Sequence, residues 1–460
     1  MTRFVTFACL TLALLLCGCE KQETASANRL PTGSGQTSTV SATTANTPPS
    51  YVTEPAPDIS APQETTLLLQ EATALNRYEV PSQALLSWYA LREARPALLI
   101  YANDPLLQTI TPSMQNNLMA QLAKGNDSAL DLTSPDIAIL PKMTLEAALQ
   151  AGFFSAIYWV MPVTVEMAEL SIEVFRTQMI QLGAMDDEEA RQLTLRDGVF
   201  SGTVDGVPFH ALHPQADFAV SGPAVFHFDL SFLAPLYQGE IKSQVYPLIY
   251  QTLKHLRDQR IETLSASFSY SQLSGEIPLG SRFIGDVFAQ LFTEPQLLDE
   301  NLPQSWQQRA KALYLPELFS NSDARKTLLE LLATEPDDPS VHYALYSISR
   351  QVSAARNSAL DHLAEAVRRD PVYALEYLQL APVAREMGQP DEALRMLRLA
   401  NEASPDNPFI TLERAKALVK AGQGENAAPL LRQLRNREWS KIFYPDMPAY
   451  LEQLLTESGG

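Results

Sequence analysis

Between residues 64 and 300, three stretches run almost without a polar residue: Pro96-Ala-Leu-Leu-Ile-Tyr-Ala102, Phe153 to Met161, and Ala224 to Leu230. Apolar runs of that length, without alternation, suit strands covered on both faces. Leu145 to Ala151 has short helical spacing between the first two, and Ile172 to Leu182 has it after the second. The clearest unit starts at Val225-Phe-His-Phe-Asp-Leu230. A helix from about Ser243 to Arg260 follows, with Leu248, Ile249, Leu253 and Leu256 on one face, and then Thr263 to Tyr270. This order predicts a strand–helix–strand crossover, right-handed with parallel strands. Val199 to Ala211 predicts a hairpin, because Asp205-Gly206 is a pair favoured in type I′ turns. The expected architecture of 64–300 is an α/β domain with a mixed, partly parallel sheet.

From about residue 305 the pattern turns wholly helical, and a period of 34 appears. Ala359, Ala393 and Ala427 keep it, as do Leu363, Leu397 and Leu431, Ala366 and Ala400, Gly388 and Gly422, and Pro371 and Pro405. This spacing resembles the tetratricopeptide repeat (TPR), in which small residues let paired helices approach. Three units follow, roughly 340–373, 374–407 and 408–441, within an all-α segment 301–460. The middle unit carries Tyr377, Leu380, Ala381, Gly388, Ala393, Leu397, Ala400 and Pro405 at signature places. Ala354 replaces the turn glycine of the first unit, Trp439 replaces the terminal proline of the third, and Pro382 is expected to kink a helix. Helices at 305–315 and 323–335 would cover the front of the stack, and Pro448 to Leu455 the back. The resemblance implies a concave groove for partner segments, lined by Ala344, Ile348, Leu378, Arg385, Leu412, Lys416 and Lys420. The alternative is that three repeats merely buttress the α/β domain.

The N-terminus has its own logic. Arg3 precedes an apolar run from Phe4 to Leu16, too short to span a bilayer comfortably, and the run closes on Leu16-Cys17-Gly18-Cys19. This ending resembles the lipobox of bacterial lipoprotein signal peptides. The resemblance implies cleavage after residue 18 and acyl chains on Cys19 that hold the protein to a membrane. Glu20, in place of an inner-membrane-retaining Asp, leans towards the outer membrane. Residues 20–63, rich in Ser, Thr, Ala and Pro, contain little that could form a core and read as a tether.

Composition narrows the field. Apolar content of 46% and charged content of 19% describe a globular chain. A net charge of −19 argues against a nucleic-acid partner. All three cysteines fall in the first 19 residues, so the body has no disulfide, thiolate metal site or cysteine nucleophile.

Parallel sheets bind ligands beyond the carboxyl ends of their strands. That rule selects Asn103, Asp104, His227, Asp229, Ser231, Ser269 and Ser271 as a candidate pocket. The same residue types also close turns and cap helices. His227-Phe-Asp229 resembles the His-x-Asp metal-binding step of arginase- and deacetylase-like enzymes, but the further Asp and His ligands are not found. No Gly-x-Ser-x-Gly, His-Glu-x-x-His or phosphate-cradling glycine loop occurs, and no metal or cofactor is implied. The expectation is a non-catalytic envelope lipoprotein that holds another envelope protein through its repeats. The alternative is a hydrolase-like or small-ligand-binding protein working around Asp229.

Overall fold

The computed structural model describes residues 65–162, 171–235, 245–275 and 277–459; the lipobox-like motif, Cys19 and the Ser/Thr-rich segment lie outside them. Strands β1 (Thr66–Leu67) and β2 (Leu75–Tyr78) lead into helix α1 (Leu85–Leu91) and β3 (Ala97–Tyr101). Next come α2 (Pro112–Ala123), α3 (Thr144–Gln150), β4 (Ala156–Val160), α4 (Ile172–Gln181) and α5 (Asp187–Gln192). The sheet continues with β5 (Thr194–Arg196), β6 (Val199–Val204), β7 (Val207–Leu212) and β8 (Ala224–Asp229). Helix α6 (Val245–Asp258), β9 (Glu262–Ser269) and α7 (Phe283–Thr293) complete the domain.

Across the sheet the order is β5-β6-β7-β4-β3-β8-β9, with β1 and β2 both against the outer edge of β9. From β7 through β9 the neighbours are parallel, as is β2 on β9; β1 and the β5–β6–β7 edge are antiparallel. The sheet is therefore mixed and partly parallel, and the crossover through α6 joins parallel strands as its sequence implied.

Every residue of β3 is buried. Leu98 and Ile100 point into one apolar cluster with Trp88, Leu118, Leu145 and Phe175, while Leu99 and Tyr101 point into another with Ile249, Leu253 and Phe288. Helices thus cover both faces, which is why the central strands show no polar alternation. The hairpin turn places Asp205 at φ 50° and Gly206 at φ 75°, the two left-handed residues that a type I′ turn needs.

The rest of the chain is helical: α8 (Gln304–Tyr314), α9 (Asn321–Thr334), α10 (Pro339–Ser349), α11 (Ala359–Arg369), α12 (Leu375–Glu386), α13 (Pro390–Ala403), α14 (Pro408–Lys420), α15 (Gly424–Arg435) and α16 (Met447–Glu457). Consecutive helices pack in pairs from α8–α9 to α14–α15, and α16 packs on α15. The period-34 alanines and leucines all lie inside the stack. Gly388 and Gly422 make the tight turns of the second and third units at φ 71° and 70°, a conformation that costs a residue with a Cβ. In the first unit, where Ala354 stands, a 3-10 stretch from Ser353 to Ser358 takes the place of that turn. Helix α12 continues through Pro382 to Glu386.

Three joints tie the helices to the α/β domain. Trp306 of α8 stacks on Tyr246 of α6, ring centroids 5.8 Å apart. Leu279, ahead of α7, packs on Ala366 and Tyr373, and Arg282 reaches Asp370. At the far end the Ser440 amide donates to the Pro135 carbonyl at 2.8 Å, and Phe443 packs on the α1–α4 side of the sheet.

Candidate functional site

The chain leaves β3 towards β4 on one side and leaves β8 towards β9 on the other, so the sheet's switch point lies between β3 and β8. In open parallel sheets ligands gather there, at the carboxyl ends. Asn103 and Asp104 follow β3, Asp229 and Ser231 close β8, and Ser269 and Ser271 close β9. The structure brings all of them but Asp104 together: the Asn103 amide donates to Ser231 Oγ at 3.2 Å, and the Ser231 amide donates to Asp229 Oδ1 at 2.8 Å. Asp229 Oδ2 accepts from both Ser269 Oγ and Ser271 Oγ, the latter at 2.5 Å.

His227, two residues before Asp229, shares its face. Its Nε2 lies 3.0 Å from Ser269 Oγ and its Nδ1 2.8 Å from Ser267 Oγ. Each ring nitrogen thus meets a serine hydroxyl, and Ser267 Oγ also donates to the Phe226 carbonyl at 3.2 Å. Trp88 covers the ring edge-on, with centroids 5.6 Å apart. Burial pushes the imidazole down to about 3 and raises Asp229 above the usual carboxylate range, against the pull of the serine hydrogen bonds.

This constellation is a saturated one. Asp229 is 1% exposed, His227 is fully buried, and their partners are the protein's own hydroxyls and amide. Such a network joins three strand ends and turns no reactive group towards solvent. Among the described residues no three His, Cys, Asp or Glu side chains cluster as metal ligands. Asp104 lies apart from it. Its carboxylate accepts from the Leu106 amide at 2.7 Å and lines a hollow of about 190 Å³ with Gln108, Lys142, Gln181 and Leu182. Burial raises its pKa first, and the charge of Lys142 opposes that.

In the repeats, the groove candidates separate. Arg385 and Lys420 are exposed, in the last turns of α12 and α14. Val383 and Met387, two positions before and after Arg385, are also exposed. Ala344, Leu378 and Lys416 are half-buried, and Lys416 pairs with Glu413 at 2.5 Å. Ile348 and Leu412 are buried: Ile348 packs against Ala324 and Leu331 of α9, and Leu412 against Leu431 of α15. Apolar residues on the first helix of a unit were assigned to the groove without knowing how the preceding and following helices close over them.

Residues 384–438 match the tetratricopeptide repeat family. The matched stretch runs from the end of α12 through α13, α14 and α15. None of the curated proteins compared matches the chain. The TPR match falls on the two units whose turns keep Gly388 and Gly422, and stops short of the first, where the turn glycine is absent.

Sequence reasoning passed over a buried acid inside the TPR array. Glu376 of α12 accepts from Tyr343 Oη at 2.7 Å, Tyr346 Oη at 2.6 Å and Arg350 Nη1 at 3.3 Å. Burial, then the charge of Glu376, pushes both phenols well above their ordinary range. The signal was available: Glu376 occupies the register position held by His342 and Ile410 in the adjoining units. Arg282 was likewise missed, because nothing local marks a long-range ion pair.

Proposed function

We propose that this protein is a lipid-anchored envelope lipoprotein, probing the periplasm from the outer membrane and holding another envelope protein with its TPR array. The carrying observation is the array itself. Its repeat family is one that mediates protein–protein contact, and the middle unit presents Arg385, Val383 and Met387 to solvent. At about 100° per residue Val383 and Met387 share one side of the helix end and Arg385 lies on another, so it offers an apolar side and a cationic side to a peptide segment. The saturated Asp229 network supports the non-catalytic side of the reading, since it offers a substrate no free donor or acceptor. The anchor rests on the sequence alone, through Cys19 and the apolar run before it.

Two measurements test the two halves. Intact-mass analysis of membrane-extracted protein is expected to show an N-terminus at residue 19 carrying acyl chains, and Cys19→Ala to release the protein from membranes. An unmodified chain beginning at Met1 would remove the anchor. Crosslinking in intact cells is expected to trap a protein partner that the double variant Arg385→Glu, Lys420→Glu loses at unchanged thermal stability. Undiminished crosslinking would remove the groove.

A further inference from the structure

One carboxylate at the strand ends stays outside the saturated network. Asp104 follows β3, one of the two strands that flank the switch point, and it lines the hollow of about 190 Å³. Its Oδ1 accepts from the Leu106 amide at 2.7 Å, while its Oδ2 accepts from no described residue. The walls around it are tied to one another. Leu106, at φ 60°, turns its carbonyl to the Leu145 and Glu146 amides of α3, at 2.9 and 3.3 Å. The Gln108 amide donates to the Lys142 carbonyl at 2.9 Å, and Thr109 Oγ1 donates to the Gly183 carbonyl at 3.3 Å. The segments after β3, before α3 and after α4 are thus fixed in advance, which spares a ligand the cost of ordering them.

We infer that this hollow binds a small free α-amino acid with an aliphatic side chain, its ammonium on Asp104 Oδ2. A half-buried carboxylate with a bare oxygen calls for a donor, and a charged donor gives the stronger bond. Lys142 also lines the hollow, and its charge is felt at Asp104. A simple amine would meet that like charge, whereas the carboxylate of an amino acid is drawn to it.

Pro105, Leu107 and Ala184 are buried, and with Leu182 they give the hollow apolar walls for an aliphatic chain. No aromatic ring lines it, so a nucleobase would find no stacking platform. The volume is that of about six waters. That is room for a ligand of the size of alanine or valine and too little for a dipeptide. The hollow belongs to the α/β domain and uses neither the repeats nor Cys19, so this site holds or fails independently of the function proposed above.

Titration calorimetry of the full-length protein with L-valine and L-alanine tests the site, with the thermal midpoint as a second readout. One saturable site per chain is expected for at least one of them, weakened at least tenfold in Asp104→Asn. Asparagine keeps an acceptor for the Leu106 amide, so the variant is expected to fold as the parent does. Isovalerate, which is valine without its ammonium, and isobutylamine, which is valine without its carboxylate, are each expected to bind at least tenfold more weakly than valine. Both analogues probe the unaltered chain, so they decide the matter even if Asp104→Asn unfolds. Neither saturable heat nor a raised midpoint with valine or alanine overturns the inference. Equal binding by Asp104→Asn overturns it too, as does isobutylamine binding as tightly as valine, which would mark a site for simple amines.

Discussion

Arg282 and Asp370 lie 88 positions apart in the chain, yet Arg282 Nε donates to Asp370 Oδ2 at 2.5 Å. The same guanidinium donates to Glu79 Oε2 and Oε1 at 2.9 and 2.6 Å, and its carbon sits 4.1 Å above the Tyr270 ring. One buried cation thereby joins the end of β2, the start of α7 and the loop after α11. The two carboxylates hold it charged, raising its pKa well above the ordinary value against the cost of burial.

Arg282→Met is expected to destabilise the protein by about 3–5 kcal/mol, because two carboxylates lose the cation that compensates their burial. Adding Glu79→Gln and Asp370→Asn should recover part of the loss, since the stranded charges are then removed too. Urea unfolding of the single and triple variants measures both. A triple variant no better than the single would show that packing of the guanidinium, not its charge, joins the domains.

Glu146 makes the fold sensitive to pH. Burial, then the charge of Asp205, raises its carboxyl to about 7, while Gln150 Nε2 donates to it at 2.7 Å. A raised folded value means the folded protein keeps a proton that the unfolded chain has released. Stability from this group is thus complete below about 4.5 and is lost as pH rises to about 7. His227 acts in the opposite sense. Its folded value of about 3 means the unfolded chain binds the extra proton, so stability falls as pH drops from about 6.5 towards 3. The thermal midpoint of Glu146→Gln relative to the parent should therefore climb between pH 4.5 and 7 and then level off. A pH-independent difference would assign Glu146 an ordinary carboxyl.

Glu376→Ala should cost about 2–4 kcal/mol, because the buried hydroxyl of Tyr346 and the half-buried one of Tyr343 lose their acceptor. Tyr343→Phe, which removes one donor and leaves Glu376 two others, should cost about 1 kcal/mol. Chemical denaturation followed by far-ultraviolet circular dichroism reads both, since the repeats supply most of the helix lost. Equal effects would contradict the central place of the carboxylate.

Asp229→Ala separates a structural network from a binding site. It strands the Ser269 and Ser271 hydroxyls and the Ser231 amide, all buried, and is expected to cost about 2–4 kcal/mol. Calorimetric unfolding gives the value. An unchanged midpoint would reopen a ligand-binding role for the carboxyl ends of β8 and β9.

The main strands of the sheet were legible wherever burial on both faces forced continuous apolar runs, as at Ala97–Tyr101 and Ala224–Asp229. Edge elements were not. β1 has two residues, and β2 reads Leu-Asn-Arg-Tyr with its middle pair exposed, so neither carries a period long enough to register. The hairpin announced itself through Asp205-Gly206, but its insertion beside β4 is a long-range pairing that local pattern does not encode. Asp229, Ser231, Ser269 and Ser271 could be placed at strand ends because the apolar runs stop there. That they would satisfy one another depended on Oγ–carboxylate distances, which spacing cannot supply. In the repeats, period 34 fixed the helix pairs, whereas Ile348 and Leu412 were misassigned because register alone does not say which neighbour covers a residue.

The entry of the chain into the sheet has a mechanical corollary. β1 meets β9 through two antiparallel register pairs, Thr66 with Thr263 and Leu67 with Glu262, while the longer β2 holds the rest of that edge in parallel. A pull arriving from residues before 65 would load those rungs one at a time, as a zipper is loaded, and peel β1 away before any force reached Leu75. The described chain thus begins at a sacrificial link, which would yield a few residues of slack while the sheet and the helices behind it stay folded.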